Sequence, residues 1–110
     1  MQPIPEITPT ELKARLDRKD SFVLLDVREP HEYAIIDLPE VGQKRIPMGQ
    51  VAGRVGELDR DQELLLYCRS GARSGKVAAL LQQLGFERVV NLKGGVLKWR
   101  EEVDPSLQAY

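Results

Sequence analysis

Two short apolar runs constrain the fold of this chain more than any other feature of its sequence. Phe22–Leu25 and Leu64–Tyr67 contain only apolar or aromatic residues, which is typical of strands buried on both faces of a parallel sheet. Between Ser74 and Leu84 the apolar residues recur at helical spacing, and Val89–Val90 predicts a further short strand. Strands that alternate with helices over short connections predict an α/β fold, with helices on both faces of a mostly parallel sheet.

The other segments carry shorter patterns. Thr8, Pro9 and Glu11 predict a capped helix start, because the Thr8 and Glu11 side chains can each bind a free backbone N–H group. This helix is expected to reach about Arg18. The remaining predicted elements are a short helix over Glu29–Tyr33, a short strand near Arg45–Ile46, a helical segment through Val51, Val55 and Leu58, and a final helix from Val96 to about Glu102 that holds Trp99 in the core.

Composition limits the classes of protein to consider. A chain of 110 residues suits one domain, and 42% hydrophobic with 30% charged residues is an ordinary globular balance. The net charge of −1 gives no basic field, so nucleic acid is not an expected partner. No apolar run approaches the roughly 20 residues that span a membrane, and Met1–Glu11 lacks the features of a signal peptide. The expectation is a cytoplasmic protein without membrane contact.

The sequence contains one cysteine, Cys68, and one histidine, His31. A single cysteine excludes an intramolecular disulfide, and a structural zinc site would lack ligands. The sequence therefore predicts no metal site. His31 lies in a charged helix start and is expected to be a solvated residue. Cys68 is either a small core residue or a reactive thiol, and its surroundings decide between the two.

The segment Cys68–Arg73 surrounds the cysteine with groups that favour negative charge. Gly71 permits a turn with positive φ, in which successive backbone N–H groups can converge on an anion. The N-terminus of a helix that begins near Ser74 adds unpaired N–H groups. Arg69 and Arg73 add positive charge and are candidates for steering anionic donors. These features favour a thiolate, and hence a reactive cysteine over a core one.

Three segments, in this order, carry a family resemblance. Leu25–Tyr33 resembles the first signature of the rhodanese-family sulfurtransferases, Tyr67–Ser74 resembles their active-site loop, and Leu92–Trp99 resembles their closing Gly-Gly…Trp segment. The resemblance implies a single rhodanese domain over residues 1–110, with a sheet of about five strands. It also implies a sulfurtransferase that needs no cofactor, because the sulfur is carried as a covalent persulfide on Cys68.

The resemblance also implies the substrates and the site. The sulfur donor would be thiosulfate or a protein persulfide, and the acceptor would be cyanide, a thiol or an activated sulfur-carrier protein. The implied persulfide-binding loop comprises Arg69, Ser70, Gly71, Ala72 and Arg73. Asp26 and Arg28 follow the neighbouring strand and are expected to border the same crevice in a supporting role. For Arg28, substrate contact and pairing with Glu29 or Glu32 both stay open.

A further resemblance concerns the pathway. Residues Trp99–Tyr110 are similar to the end of rhodanese domains fused to adenylyltransferases that activate ubiquitin-like sulfur carriers. The candidate protein partners are therefore such a carrier, an adenylyltransferase or a cysteine desulfurase. The segment Ile36–Arg45 departs from the family pattern, because the usual histidine is missing and extra residues precede Ile46. This departure predicts a different loop on one wall of the crevice.

Two other functions remain to be weighed. Cysteine-dependent phosphatases and arsenate reductases also combine a cysteine loop with an arginine, but their loop is longer. Here four residues, Arg69–Ala72, separate Cys68 from Arg73, and so short a ring of N–H groups suits one terminal sulfur better than a tetrahedral oxyanion. The alternative from another class is a non-catalytic rhodanese-like module that binds a partner protein. Retention of Cys68 argues against it.

Overall fold

The computed structural model describes residues 3–110, and its architecture is one parallel sheet between two layers of helices. Neighbouring strands run parallel throughout, in the order β1-β5-β4-β2-β3. The strands are β1 (Glu6–Ile7), β2 (Val23–Asp26), β3 (Lys44–Arg45), β4 (Leu64–Tyr67) and β5 (Val89–Leu92). The α-helices are α1 (Pro9–Asp17), α2 (Pro30–Tyr33), α3 (Ala72–Gln83) and α4 (Gly95–Glu102). The predicted α/β fold is confirmed.

Burial on both faces explains the continuous apolar runs of β2 and β4. In β4, Leu64 and Leu66 pack into the core beneath α3, whereas Leu65 and Tyr67 pack into the core beneath α1 and α4. Every side chain of β4 is therefore buried, which removes the polar alternation that a half-exposed strand would show. Trp99 belongs to the core on the α1 and α4 side, as expected.

The helix boundaries follow from their capping residues. Thr8 caps α1, with its hydroxyl oxygen accepting from the Glu11 N–H at 3.1 Å while the Glu11 carboxylate accepts from the Thr8 N–H at 2.9 Å. Gly85, two residues beyond the end of α3, adopts φ +96°, and the Phe86 N–H donates back to the Leu81 carbonyl at 3.0 Å. Both ends agree with the prediction from sequence.

Several predicted boundaries were wrong. The helix α3 begins at Ala72 rather than near Ser74, because Gly71 adopts a left-handed conformation and serves as the N-cap. The segment through Val51, Val55 and Leu58 forms two 3₁₀ stretches, Met48–Gln50 and Ala52–Glu57, and no α-helix. The short strand lies at Lys44–Arg45, and the two-residue edge strand β1 was not predicted.

The register of the two central strands, β2 and β4, brings their carboxyl ends side by side. Asp26 at the end of β2 lies opposite Tyr67 at the end of β4. The chain leaves both strands at the same edge of the sheet, so Arg28 and Cys68 lie in adjacent loops beyond it, as expected for a parallel sheet. Among the residues that the structure describes, no helix is long and apolar enough to cross a membrane.

Candidate active site

The Cys68 sulfur lies at the N-terminus of α3 and accepts hydrogen bonds from its first turn. The sulfur is 3.1 Å from the Gly71 nitrogen and 3.4 Å from the Ser74 nitrogen. These N–H groups have no partner within the helix, so they carry the positive end of its dipole towards the sulfur. The Ser74 hydroxyl oxygen lies 3.3 Å from the sulfur as a third contact. Only 1% of Cys68 is exposed, so these three contacts take the place of water around a largely buried sulfur.

The glycine pair Gly94–Gly95, which precedes the body of α4, holds the cysteine loop Cys68–Arg73 in this orientation. The carbonyl oxygens of Cys68 and Arg69 accept hydrogen bonds from the N-terminus of α4, from the Val96 N–H at 3.0 Å and the Leu97 N–H at 3.1 Å. This approach requires Gly95, which adopts φ +61°, because a Cβ atom there would overlap the same two carbonyl groups. Sequence alone indicated only a turn at this position. The structure shows that the turn braces the cysteine loop.

Arg73 lies on the first turn of α3 and is paired with Glu32 of α2. The two side chains form a bidentate ion pair with nitrogen–oxygen distances of 2.8 and 2.7 Å. This guanidinium lowers the pKa of the buried Glu32 carboxyl to about 2. The charge of Arg73 is therefore paired beside the crevice, and its role in steering anionic donors stays a prediction. Its main structural effect is to tie α2 to the cysteine loop.

The Arg73–Glu32 pair predicts a dependence of stability on pH. The pKa of Glu32 is lowered in the folded state from an ordinary value of 4.5, so the pair contributes fully above that value and is lost as the pH falls towards 2. A Glu32→Gln variant is expected to be less stable at neutral pH by roughly 3 kcal/mol, with a flatter loss of stability in acid. Urea unfolding across this pH range measures both effects.

The matched control is Glu57→Gln, which breaks an exposed ion pair between Arg54 and Glu57 on a 3₁₀ segment. Exposed pairs contribute little to stability, so this variant is expected to follow the wild type at neutral pH. Equal behaviour of the two variants would show that the Arg73–Glu32 pair contributes nothing beyond a surface ion pair.

Asp26 and Arg28 belong to a closed ring of four charges, which we call the Asp–Arg ring. Arg28, fully buried, contacts Asp26 at 2.9 Å and Asp37 at 3.0 Å. Arg45 closes the ring, at 2.7 Å from Asp26 and 2.5 Å from Asp37. Two carboxylates and two guanidinium groups satisfy one another, which is how charges tolerate burial.

The ring answers the open question about Arg28. Its ion-pair partners are Asp26 and Asp37, and it contacts Glu32 only through the backbone oxygen at 3.4 Å, so the alternative of side-chain pairing with Glu29 or Glu32 is not the one that the structure shows. Asp26 also accepts a hydrogen bond from the backbone N–H of Arg28 at 3.0 Å. Both residues therefore support the wall of the crevice, and their charged groups are paired within the ring.

The segment that departs from the family pattern supplies the other half of the ring. Asp37 and Arg45 stand at the two ends of this loop, and the Tyr67 hydroxyl donates to Asp37 at 2.8 Å. The predicted different loop is thus attached to the sheet through charged and polar contacts. Sequence could not pair these residues, because their partners come from three separate segments.

The C-terminal residues 104–110, which we call the C-terminal strap, fold back towards the cysteine loop. The Tyr110 hydroxyl donates to Glu32 at 2.8 Å and accepts from Arg28 at 3.2 Å. The Arg69 guanidinium contacts the backbone oxygen of Tyr110, and its carbon lies 5.1 Å from the centre of the Tyr110 ring. The strap therefore forms part of the wall beside Arg69. Its sequence shows no periodicity that could have predicted this position.

The other predicted loop residues have simpler surroundings. Ser70 and Ala72 are exposed at the rim, and His31 is exposed as expected. Two polar residues beneath the sulfur were missed by sequence reasoning, Ser74 and Asn91, both buried. The available signal for Asn91 was a single amide in the otherwise apolar strand β5. For Ser74, the signal was its position three residues after the left-handed Gly71.

Comparisons with known proteins agree with this geometry. Residues 8–102 match the family described as Rhodanese-like domain. The chain is 38% identical over 96 residues to a sulfurtransferase of Allochromatium vinosum, with 87% of this chain and 88% of that protein covered. It is 28% identical to the adenylyltransferase and sulfurtransferase MOCS3 of Arabidopsis thaliana, covering 94% of this chain but only 25% of that longer protein.

A solved structure extends the comparison to the fold. The crystal structure of a rhodanese-like domain protein from Staphylococcus aureus superposes with a TM-score of 0.80 at 29% sequence identity. The match covers 97% of this chain and 99% of that one. The similarity therefore includes the whole sheet and both helical layers.

Proposed function

The chain belongs to the rhodanese-like domain family, and we propose that it is an active sulfurtransferase that carries sulfane sulfur as a persulfide on Cys68. One observation carries this proposal. The Cys68 sulfur accepts hydrogen bonds from the backbone N–H groups of Gly71 and Ser74 at the start of α3, and the Ser74 hydroxyl oxygen lies 3.3 Å from the sulfur. Such a site stabilises a thiolate, which is the nucleophilic form of cysteine.

The proposed reaction has two displacement steps. In the first, the Cys68 thiolate attacks the outer sulfur of thiosulfate, the sulfur–sulfur bond of the donor breaks, and sulfite leaves with the electron pair. The product is a persulfide whose outer sulfur carries the negative charge. In the second, cyanide or a thiolate attacks that outer sulfur and the Cys68 thiolate leaves. The N–H groups of Gly71 and Ser74 stabilise the Cys68 sulfur whenever it is charged.

The acceptor must come from outside the sequence. Cys68 is its one cysteine, so no second thiol of the chain can resolve the persulfide. The similarity to MOCS3, named as an adenylyltransferase and sulfurtransferase, supports an adenylated sulfur-carrier protein as one candidate acceptor. A cysteine desulfurase is a candidate donor of protein persulfide. Thiosulfate and cyanide are the simplest reagents for a test.

Intact-mass measurement of the wild-type protein after incubation with thiosulfate tests the proposal. The expected result is a gain of one sulfur atom, located by peptide mapping at Cys68 and removed by cyanide with release of thiocyanate. A parallel assay of phosphate-ester hydrolysis is expected to show no turnover. Absence of a sulfur adduct with both thiosulfate and a protein persulfide would contradict the proposal and leave a binding module as the better interpretation.

A further inference from the structure

Two buried polar side chains lie directly beneath the Cys68 sulfur. The Ser74 hydroxyl oxygen is 3.3 Å from the sulfur and 2.6 Å from the Asn91 amide oxygen. The Asn91 amide nitrogen lies 3.1 Å from the Gly71 carbonyl oxygen. Because a carbonyl oxygen can only accept, this contact fixes the orientation of the amide. The Asn91 oxygen must then face Ser74 as an acceptor.

The Ser74 hydroxyl has one proton, and the Asn91 oxygen and the Cys68 sulfur compete for it, while the Gly71 carbonyl oxygen is a more distant third acceptor at 3.4 Å. When the Cys68 sulfur is neutral, as in a thiol or within a persulfide, the Asn91 oxygen at 2.6 Å is the better acceptor. When Cys68 is a thiolate, its full charge makes it the stronger acceptor, because hydrogen bonds to charged groups are about twice as strong as neutral ones. Rotation of the hydroxyl proton alone changes the partner, and no heavy atom has to move.

We propose that Ser74 and Asn91 form a switchable donor, which adds a third hydrogen bond to the Cys68 sulfur only while that sulfur is a thiolate. This inference rests on the proposed function in one respect, namely that the switch acts when the persulfide is discharged. In that step the acceptor bonds to the outer sulfur, the sulfur–sulfur bond breaks, and Cys68 leaves with the electron pair. The Ser74 proton then turns from Asn91 to the forming thiolate.

The two residues have different roles. Ser74 touches the leaving sulfur and is a catalytic residue of the proposed reaction. Asn91 is a positioning residue, since it holds the hydroxyl proton away from the sulfur in the neutral state. The Gly71 carbonyl also accepts from the Gly75 N–H at 3.0 Å, so removal of the Asn91 amide leaves that carbonyl with a partner. The loop is therefore expected to survive an Asn91 substitution.

Alkylation of the sulfur-free protein by iodoacetamide tests the switch without any sulfur transfer. Ser74→Ala is expected to slow alkylation of Cys68 by about 10-fold at neutral pH, because less thiolate is present. In strongly alkaline solution, where the thiol is ionised in either protein, the two rates are expected to converge. Asn91→Leu is expected to react at least as fast as the wild type at neutral pH, because the hydroxyl proton has lost its nearest competing acceptor and only the Gly71 carbonyl at 3.4 Å remains beside the sulfur.

The charged and titratable groups around the loop are the same in all these proteins. They are Arg69 on the loop, Arg73 on α3 with its partner Glu32 on α2, Tyr110 of the C-terminal strap, and Lys98 of α4. A rate difference that depends on pH is therefore due to the hydroxyl group. Ser21→Ala, in the exposed connection between α1 and β2, is the matched control and is expected to react like the wild type.

Three outcomes would contradict the proposed switch between Ser74 and Asn91. One is a Ser74→Ala defect of the same size at every pH, which would indicate altered access. Another is slower alkylation of a folded Asn91→Leu variant. A third is single-turnover discharge of the persulfide to cyanide at the wild-type rate in Ser74→Ala. Circular dichroism establishes that each variant is folded. Failure of wild-type protein to take sulfur from any donor contradicts the proposed function instead, and leaves the alkylation results to decide the switch.

Discussion

A Cys68→Ser variant is expected to keep the wild-type fold and to lose sulfur transfer by roughly 10⁴-fold or more. The serine oxygen can accept the N–H groups of Gly71 and Ser74 that now bind the sulfur, so the loop keeps its hydrogen bonds. A hydroxyl group is not ionised near neutral pH and forms no persulfide, so both displacement steps lose their nucleophile. Thiocyanate formation from thiosulfate and cyanide measures the loss, and thermal unfolding measures the fold.

A second variant separates the thiol from its surroundings. Ser21→Cys in the Cys68→Ser background restores one thiol to the chain but places it in the exposed connection between α1 and β2, away from any helix N-terminus. This double variant is expected to remain as inactive as Cys68→Ser. Recovery of substantial activity would show that any exposed thiol suffices, which would remove the argument from the geometry of the cysteine loop.

A Gly95→Ala variant is expected to lose roughly 2–5 kcal/mol of stability and most of its sulfur transfer. Alanine is strained at φ +61°, and its Cβ atom would overlap the carbonyl groups of Cys68 and Arg69. The backbone must shift to relieve this overlap. That shift weakens the hydrogen bonds from α4 that hold the cysteine loop. Urea unfolding gives the change in stability, and the thiocyanate assay gives the change in transfer.

Gly53→Ala provides the control for this substitution. A Cβ atom at Gly53 would have no atom within 4 Å, and its φ lies outside the left-handed region. This variant is expected to be as stable as the wild type or slightly more so, because alanine reduces the freedom of the unfolded chain. If Gly95→Ala behaved like Gly53→Ala, the bracing of the cysteine loop by the glycine turn would be disproved.

The fold was predictable from sequence where local patterns and burial agree. The runs at β2 and β4 are buried on both faces, and Thr8 and Gly85 mark helix ends through contacts with near neighbours. The helical segment predicted through Val51 consists of successive 3₁₀ turns, and apolar spacing alone could not have told these from an α-helix. The strand β1 was too short to carry any pattern.

The candidate site was predictable where its residues are neighbours in the sequence, and not where distant segments meet. Cys68 and the glycine-bearing loop stand together in the sequence, so their chemistry could be inferred from it. The pairing of Arg73 with Glu32, the approach of Gly95 to the loop and the position of Asn91 beneath Ser74 all join distant segments. Such contacts form only when the complete sheet brings these segments together, and no local sequence pattern predicts them.

The attachment of the divergent loop has a consequence for protein engineering. Between the anchors Asp37 and Arg45, residues 39–42 are exposed, and hydrogen bonds join this stretch to itself and to Gln43. The Asp–Arg ring holds both ends of the loop whatever its middle contains. The exposed stretch 39–42 can therefore be exchanged as a cassette, provided that the two charged ends and Leu38, which is buried in the core, are kept. A library of loops on this scaffold would sample new acceptor preferences while leaving the nucleophile and the core untouched.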